Sequence, residues 1–293
     1  MKKTIYLLLA LPLFMASCNN DEVEQGEETI EVCFNTNIPS HIATRTEGSL
    51  SVNKVVCAVF EKGIEKTNLR DTIDITNPAE IVYTPRLAKG RTYNVVFWAM
   101  MDDNYDVTDL KSINRATDGS VNETDYDAFT ATQTIFVQNS ETISVALSRP
   151  FAQLNLGITT DDWNIVKNSF GQTPCVTTIK YTSKDSFNAL TGEANPEITE
   201  ITRTSNASGT IYDNVHNKEY KLLGMCYVLM AEAAKETIYI NYSVTDTQNK
   251  MIIANNSIAF VPIQRNYKTN IVGGLLTGTI NYQISIENNF LDE

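Results

Sequence analysis

The sequence predicts an all-β protein, two β-sandwich domains behind an export signal. Three observations carry that expectation. Short runs rich in Val, Ile, Thr, Tyr and Phe recur along the 293 residues, separated by polar loops containing Asn, Asp, Gly and Pro. Several runs alternate as half-buried strands do: Ile238, Ile240, Tyr242 and Val244 share one face, with Tyr239, Asn241 and Ser243 on the other. No long helical segment alternates with the strand runs, which favours sandwiches over a parallel sheet. A hydrophobic content of 42%, with 13 Tyr and 11 Phe, is enough to fill real cores.

The N-terminus comes first. Lys2 and Lys3 lead into an apolar run over 5–15 that stops at Ala16-Ser17-Cys18. A bilayer span needs about 20 apolar residues, so this run reads as a secretory signal. Met15-Ala16-Ser17-Cys18 resembles the lipobox of bacterial lipoproteins, with Met where Leu is usual. The resemblance implies that residues 1–17 form a lipoprotein signal peptide and that Cys18 is acylated, palmitate included, as the mature N-terminus. One acyl chain binds a membrane only marginally, at about 0.8 kcal/mol per methylene, whereas several chains hold firmly. Residues 18–27 form an acidic tether containing Asp21, Glu22 and Glu24, which anionic lipid repels. This stretch resembles the acidic export signal of surface lipoproteins in the Bacteroidetes; it also reads as a plain solvated tether.

The first sandwich is expected over 28–148, with strands at 29–36, 52–61, 81–84, 92–100, 128–136 and 142–147. Ser148-Arg149-Pro150 marks the break, because proline ends one strand run before another begins. The second sandwich is expected over 149–293. Its strands are placed at 153–158, 176–181, 220–230, 237–245, 257–261, 267–276 and 279–286. Two short helical pieces are expected: Asp161 capping 162–169, and Thr108 capping the turn at Asp109-Leu110-Lys111.

Composition excludes several functions. The net charge of -12, near -14 without the signal peptide, and the lack of a basic stripe argue against nucleic-acid binding. Cys33, Cys57, Cys175 and Cys226 remain once Cys18 is set aside; Cys57 and Cys226 sit in apolar runs and suit buried thiols. An exported chain could instead pair them, and no CxxC spacing points to a metal or redox site. His41 and His216 are the only histidines, and HExxH, GxSxG and phosphate-binding glycine loops are absent. Asp102, Asn104 and Asp106 alternate like a calcium loop, but Val107 stands where glycine is needed and Ile113 where a bidentate carboxylate is needed. Trp98 reads as core, and Trp163 as packed or as a sugar-stacking platform. No enzyme, metal or cofactor is expected.

Three stretches resemble one family. They are Arg149-Pro150-Phe151-Ala152-Gln153-Leu154-Asn155, Tyr93-Asn94-Val95-Val96-Phe97-Trp98-Ala99, and Pro262-Ile263-Gln264-Arg265-Asn266-Tyr267-Lys268-Thr269-Asn270-Ile271 followed by Gly273 and Leu275-Leu276-Thr277. With the lipobox, they look like the fimbrillin-like lipoproteins of the Bacteroidetes, the superfamily of the major and minor fimbrillins. The resemblance implies two transthyretin-like Greek-key sandwiches and a cell-adhesion role on the outer membrane, in a fimbria (a type V pilus) shared with other pilus subunits. It implies that a trypsin-like protease cuts the lipid-anchored precursor after an arginine, removing an N-terminal strand so that a neighbour's strand fills the vacated groove.

The matching pieces here are Arg45-Thr46, in the polar segment Ile42-Ala43-Thr44-Arg45-Thr46-Glu47-Gly48, and the upstream strand bearing Ile30, Val32 and Phe34 on one face. Cleavage would release the lipid and that strand, leaving a chain near -9. The candidate donor is 279–286, with Ile280, Tyr282, Ile284 and Ile286 on one face; it reads equally as the closing strand of the second sandwich. Asp71-Thr72-Ile73 resembles a short O-glycosylation motif of these bacteria, with Thr72 as acceptor. The rival reading is a non-polymerising surface lipoprotein that binds a host ligand or glycan.

Overall fold

The computed structural model describes residues 27–38, 52–117, 122–170, 175–206, 209–230, 234–246, 248, 250–276 and 281–287. Cys18, Arg45, Thr46 and Ile280 lie outside the described residues. The all-β expectation is borne out, with sheets packed in pairs as sandwiches.

The chain begins with β1 (Thr29–Glu31), β2 (Cys33–Asn37), β3 (Lys54–Glu61), β4 (Ile64–Glu65) and β5 (Asp71–Asp74). It continues through β6 (Ile81–Tyr83), β7 (Arg86–Ala88), β8 (Thr92–Met100), β9 (Tyr105–Asp106), β10 (Asn114–Arg115), β11 (Ala128–Phe136) and β12 (Thr142–Ala146). One sheet of this half runs β11-β8-β3, with β4 and β5 both on the far side of β3; the opposing sheet runs β12-β2-β6. Val32, Phe34, Val55, Val59, Val95, Phe97 and Phe129 fill the space between them.

The expected strand at 29–36 is in fact two, because the chain changes partners at Val32. Its β1 part pairs with β7, Thr29 opposite Ala88. Val32 N–H then bonds to Pro85 O (3.1 Å), Cys33 N–H bonds to Glu141 O (2.9 Å), and β2 enters the other sheet. There it lies antiparallel to β6 and parallel to β12, Phe34 opposite Tyr83 and Ile143. A parallel partner more than 100 residues away is not encoded in local periodicity.

The second half comprises β13 (Phe151–Ile158), helix α1 (Thr160–Phe170), β14 (Cys175–Ser183), β15 (Phe187–Asn188), β16 (Glu193–Ala194), β17 (Thr199–Asn206) and β18 (Thr210–Asp213). It closes with β19 (Lys218–Leu229), β20 (Glu236–Asp246), β21 (Met251–Ile263), β22 (Lys268–Gly274) and β23 (Asn281–Glu287). A five-stranded sheet, β18-β19-β13-β22-β23, faces a four-stranded one, β17-β14-β20-β21. Leu154, Leu156, Ile179, Tyr242, Ile258 and Ile271 belong to the core between them. The hairpin β18–β19 curls over the outer face of its own sheet. A Cβ at Gly157 would stand 2.7 Å from Ile211 Cδ1 and 3.0 Å from Val272 Cγ1, so those side chains would have to shift.

A third apolar cluster joins the halves and explains why β8 is apolar at nearly every position. Val95, Phe97 and Ala99 face the first core, while Val96, Trp98 and Met100 join Tyr105, Phe151, Phe187 and Tyr227 in the seam. Arg149, in the expected break, is buried and forms a fork with Asp127 (Nε–Oδ1 2.6 Å, Nη2–Oδ2 2.7 Å) over the Phe129 ring.

Two capping expectations are corrected. Helix α1 starts at Thr160, and its cap is Thr159, whose hydroxyl accepts the Asp162 N–H (3.1 Å), rather than Asp161. A Thr hydroxyl two or three residues upstream reaches a free first-turn N–H, which a residue already inside the helix cannot do. The Asp109-Leu110-Lys111 segment is a turn without helix, and Asp109 Oδ1, rather than Thr108, accepts the Lys111 N–H (2.9 Å), while the Thr108 hydroxyl donates to Asp106. Cys57, Cys175 and Cys226 are buried free thiols; Cys33 is free and only partly buried.

Candidate assembly groove

The N-terminal strand lies in the middle of its sheet. Among the described strands, β6 and β12 each pair with β2 alone, so taking β2 away would leave both without a ladder partner. Val32 and Phe34 are fully enclosed, Ile38 is buried, and Ile30 is half-buried against the same core. Phe34 packs its ring against Tyr83 and Phe97, at centroid distances of 6.3 and 5.8 Å. At about 2 kcal/mol for each enclosed apolar side chain, Val32, Phe34 and Ile38 stabilise the first sandwich by on the order of 6 kcal/mol. That is comparable to the whole stability of an ordinary domain, about 5–15 kcal/mol.

The strand's polar ties are few and peripheral. Lys89 Nζ meets Glu28 Oε2 at 3.0 Å, Arg91 pairs with Glu27, and Arg86 Nη2 donates to Thr29 O (3.3 Å). These contacts are exposed, where an ion pair contributes about 0–1 kcal/mol. Inside the sheet, Thr36 Oγ1 donates to Ile81 O (3.2 Å).

At the other end of the chain, β23 forms an edge of the five-stranded sheet and pairs with β22 from Lys268–Glu287 to Gly274–Asn281. Tyr282 and Ile284 pack half-buried on the second core, and Ile286, on the same strand face, is also half-buried. The opposite face ends in a buried carboxylate. Glu287 Oε1 accepts from Asn270 Nδ2 (2.9 Å) and Asn214 N–H (3.1 Å), and Oε2 from Asn214 Nδ2 (2.9 Å). Asn155 Nδ2 extends the chain to Asn270 Oδ1 (2.8 Å). Asn214 belongs to the β18–β19 turn, so the curled hairpin clasps the opposite edge strand. In that turn, burial opposes ionisation of Asp213, but its hydrogen bonds with His216 (Nδ1–Oδ2 2.7 Å) outweigh this and hold the carboxyl below its ordinary range.

The 262–271 stretch now has physical content. Arg265 bonds Gly192 O (2.7 Å) and Met230 O (2.9 Å) with its guanidinium over the Phe187 ring. Asn266 takes a positive φ of 62°, Thr269 Oγ1 donates to Pro262 O (2.6 Å), and Asn270 is the hub of the Glu287 network.

Thr72 is exposed on β5, its N–H turned to Asp71 Oδ1. Trp163 is half-buried against the second core, which removes it as an open platform. Asp102 Oδ1 accepts from Asn53, Asn104 donates to Asp125 O, and Asp106 accepts from Thr108, so these three serve separate local turns. The seam holds a cavity that sequence reasoning missed, lined by Trp98, Tyr105, Tyr181, Arg203 and Tyr227 among others. At about 30 Å³ it has room for one or two waters and not for a sugar.

The architecture defines a two-sandwich, all-β class of protein whose N-terminal strand is an internal member of its sheet. Residues 22–293 match the model described as Family of unknown function (DUF6562), and the chain belongs to that family. No curated protein matches it. Among solved structures, a candidate cell adhesion protein from Bacteroides uniformis is 10% identical, with 89% of this chain and 97% of that one covered at a TM-score of 0.52. One from Bacteroides ovatus is 10% identical, with 90% and 98% covered at a TM-score of 0.50. The tip fimbrial protein Mfa3 from Porphyromonas gingivalis, truncated at its C-terminus, is 11% identical, with 89% and 99% covered at 0.48. The first two share the fold.

Proposed function

We propose that this chain is a non-enzymatic, fimbrillin-like surface protein, a subunit, tip or accessory component of a pilus assembled by strand exchange. The observation that carries this reading is the position of β2: a central strand, held by apolar burial, joined to the rest of the chain through Arg45-Thr46. A strand in that place leaves, on removal, an apolar groove with an unpaired ladder on either side, and only another strand satisfies both. The lipobox, the Arg-Asn-Tyr-Lys-Thr-Asn-Ile stretch and the fold shared with two Bacteroides cell-adhesion candidates support it.

In this reading, lipid on Cys18 tethers the precursor to the outer membrane. A trypsin-like protease cuts between Arg45 and Thr46, and the alternating face of a neighbour's 280–286 refills the groove. Mass spectrometry of surface material tests it: a mature chain starting at Thr46 is expected. Acylated Cys18 as the only N-terminus would leave an anchor or a solitary lipoprotein.

One observation favours the second reading, a non-polymerising surface lipoprotein that binds a host ligand or glycan. Glu287 fixes β23 into its own sheet, which opposes its release as a donor. Negative-stain microscopy of Arg45-trimmed protein separates the two, filaments supporting the first and lasting monomers the second.

A further inference from the structure

Strands β20 and β21 end the four-stranded sheet, and between Ile238 and Ile240 their register slips. Ile238 pairs with Val261 and Ile240 with Ile258, so Tyr239 stands opposite two residues, Ala259 and Phe260. This is a β-bulge, and Phe260 occupies it with φ of 57°. Such positions usually carry glycine, because a side chain there costs about 1–2 kcal/mol. The unusual conformation sets the Phe260 ring beside that of Tyr239, centroids 5.4 Å apart and tilted by 54°. Both rings face solvent, Tyr239 being 61% and Phe260 68% exposed. The chain thus accepts backbone strain and apolar exposure at one spot to display an aromatic pair, a combination that points to function when no packing explains it.

What surrounds the pair limits what it can hold. Along the same outer face run Asn241, Ser243 and Thr245 of β20, Ser257 of β21, Thr178, Lys180 and Thr182 of β14, and Glu200, Thr202 and Thr204 of β17. Ser257 Oγ donates to Asn241 Oδ1 (2.6 Å), which leaves the Asn241 amide as a donor toward the open face. Lys180 and Glu200 are the charged side chains among these, and their charges are opposite. Two rings this exposed offer on the order of 250 Å², well under the roughly 800 Å² per partner of a stable protein interface. An acidic chain, with one lysine and one glutamate on this face, also repels anionic lipid and nucleic acid. Aromatic faces beside neutral amides and hydroxyls match a pyranose, whose slightly positive C–H face stacks on the ring while its hydroxyls exchange hydrogen bonds with the flanking side chains.

We infer that Tyr239 and Phe260 form a stacking platform for a neutral glycan on the outer face of the second sandwich, with Asn241 as a hydroxyl-recognising group. The inference deepens the adhesive side of the proposed function and draws on that reading only for its biological use. Its measurement needs no pilus, so strand exchange and glycan binding can fail independently.

The test is calorimetric titration and saturation-transfer NMR of the full chain with cellohexaose, laminarihexaose, mannohexaose and an N-acetyllactosamine tetrasaccharide. At least one is expected to saturate, with transfer strongest on its ring C–H protons. F260G should weaken that binding at least tenfold while raising Tm, because glycine relieves the positive φ. Y239S should weaken it similarly without the gain in Tm. The platform is overturned if none of the four saturates, if F260G binds as the parent does, if F260G lowers Tm, or if sedimentation shows a dimer of the parent chain that F260G abolishes.

Discussion

The two ends of the chain are held by opposite physics. The 27–38 segment, whose β2 sits in the centre of a sheet, is stabilised by shape: Val32, Phe34 and Ile38 fill pockets, and its ionic ties at Glu27 and Glu28 are exposed. Strand β23 sits at an edge with a half-buried apolar face, and its identity is written in hydrogen bonds converging on Glu287. Apolar pockets accept any strand with matching alternation, whereas a buried carboxylate with amide partners accepts one register. The contrast teaches which end is suited to exchange: the first can be substituted, and the second must be unlocked.

The largest effect that would break this comparison is at Phe34. Phe34→Ala should cost about 3–5 kcal/mol in urea unfolding, since it opens a cavity among Tyr83 and Phe97. A cost near 1 kcal/mol would mean that the strand is not held by its apolar face. Next comes Glu287→Ala, which leaves the Asn270 and Asn214 amides without their acceptor and should cost about 2–3 kcal/mol. Hydrogen exchange should show that loss concentrated in β22 and β23; a spread over the whole second sandwich would refute a local lock.

Acid should loosen the clasp without touching β2. The Asp213 carboxyl is held below its ordinary range when folded, so it stabilises the fold above the unfolded value, 3.8. That contribution disappears as pH falls through the lower folded value. Amide protection in the β18–β19 turn should therefore drop below about pH 4 ahead of the amides of β2. Helix α1 gives a smaller signal: Thr159→Ala should lower stability by about 1 kcal/mol through loss of the Asp162 N–H acceptor. The smallest is Lys89→Ala, expected within 0.5 kcal/mol of the parent because its partner Glu28 is exposed. A loss above 1 kcal/mol would show that ionic ties hold the N-terminal strand after all.

Much of the strand inventory was legible in advance. The alternation or apolarity of 92–100 and 128–136 placed β8 and β11 at their observed bounds, because both are long, β8 buried almost throughout and β11 over its first third. Strand β17 was not legible: Ile201 is its only buried hydrophobic residue, and Thr-Glu-Ile-Thr-Arg-Thr-Ser-Asn reads as loop. The double use of β8 was equally hidden, since the seam that Trp98 faces is completed by Phe151, Phe187 and Tyr227, more than 50 positions away. Ile30, Val32 and Phe34 could be placed on one face from their spacing, but not the partner change at Val32.

By itself, the sequence determined the all-β class, the inward faces of the long strands and the absence of familiar catalytic motifs, because these follow from local periodicity and composition. Tertiary structure alone decided that β2 is central and parallel to β12, that Glu287 is buried under the β18–β19 turn, and that Phe260 adopts a left-handed conformation beside Tyr239. The physical reason is the same in each case. A two-residue period says which face is apolar, whereas register, sheet order and strain are set by partners tens to hundreds of residues away.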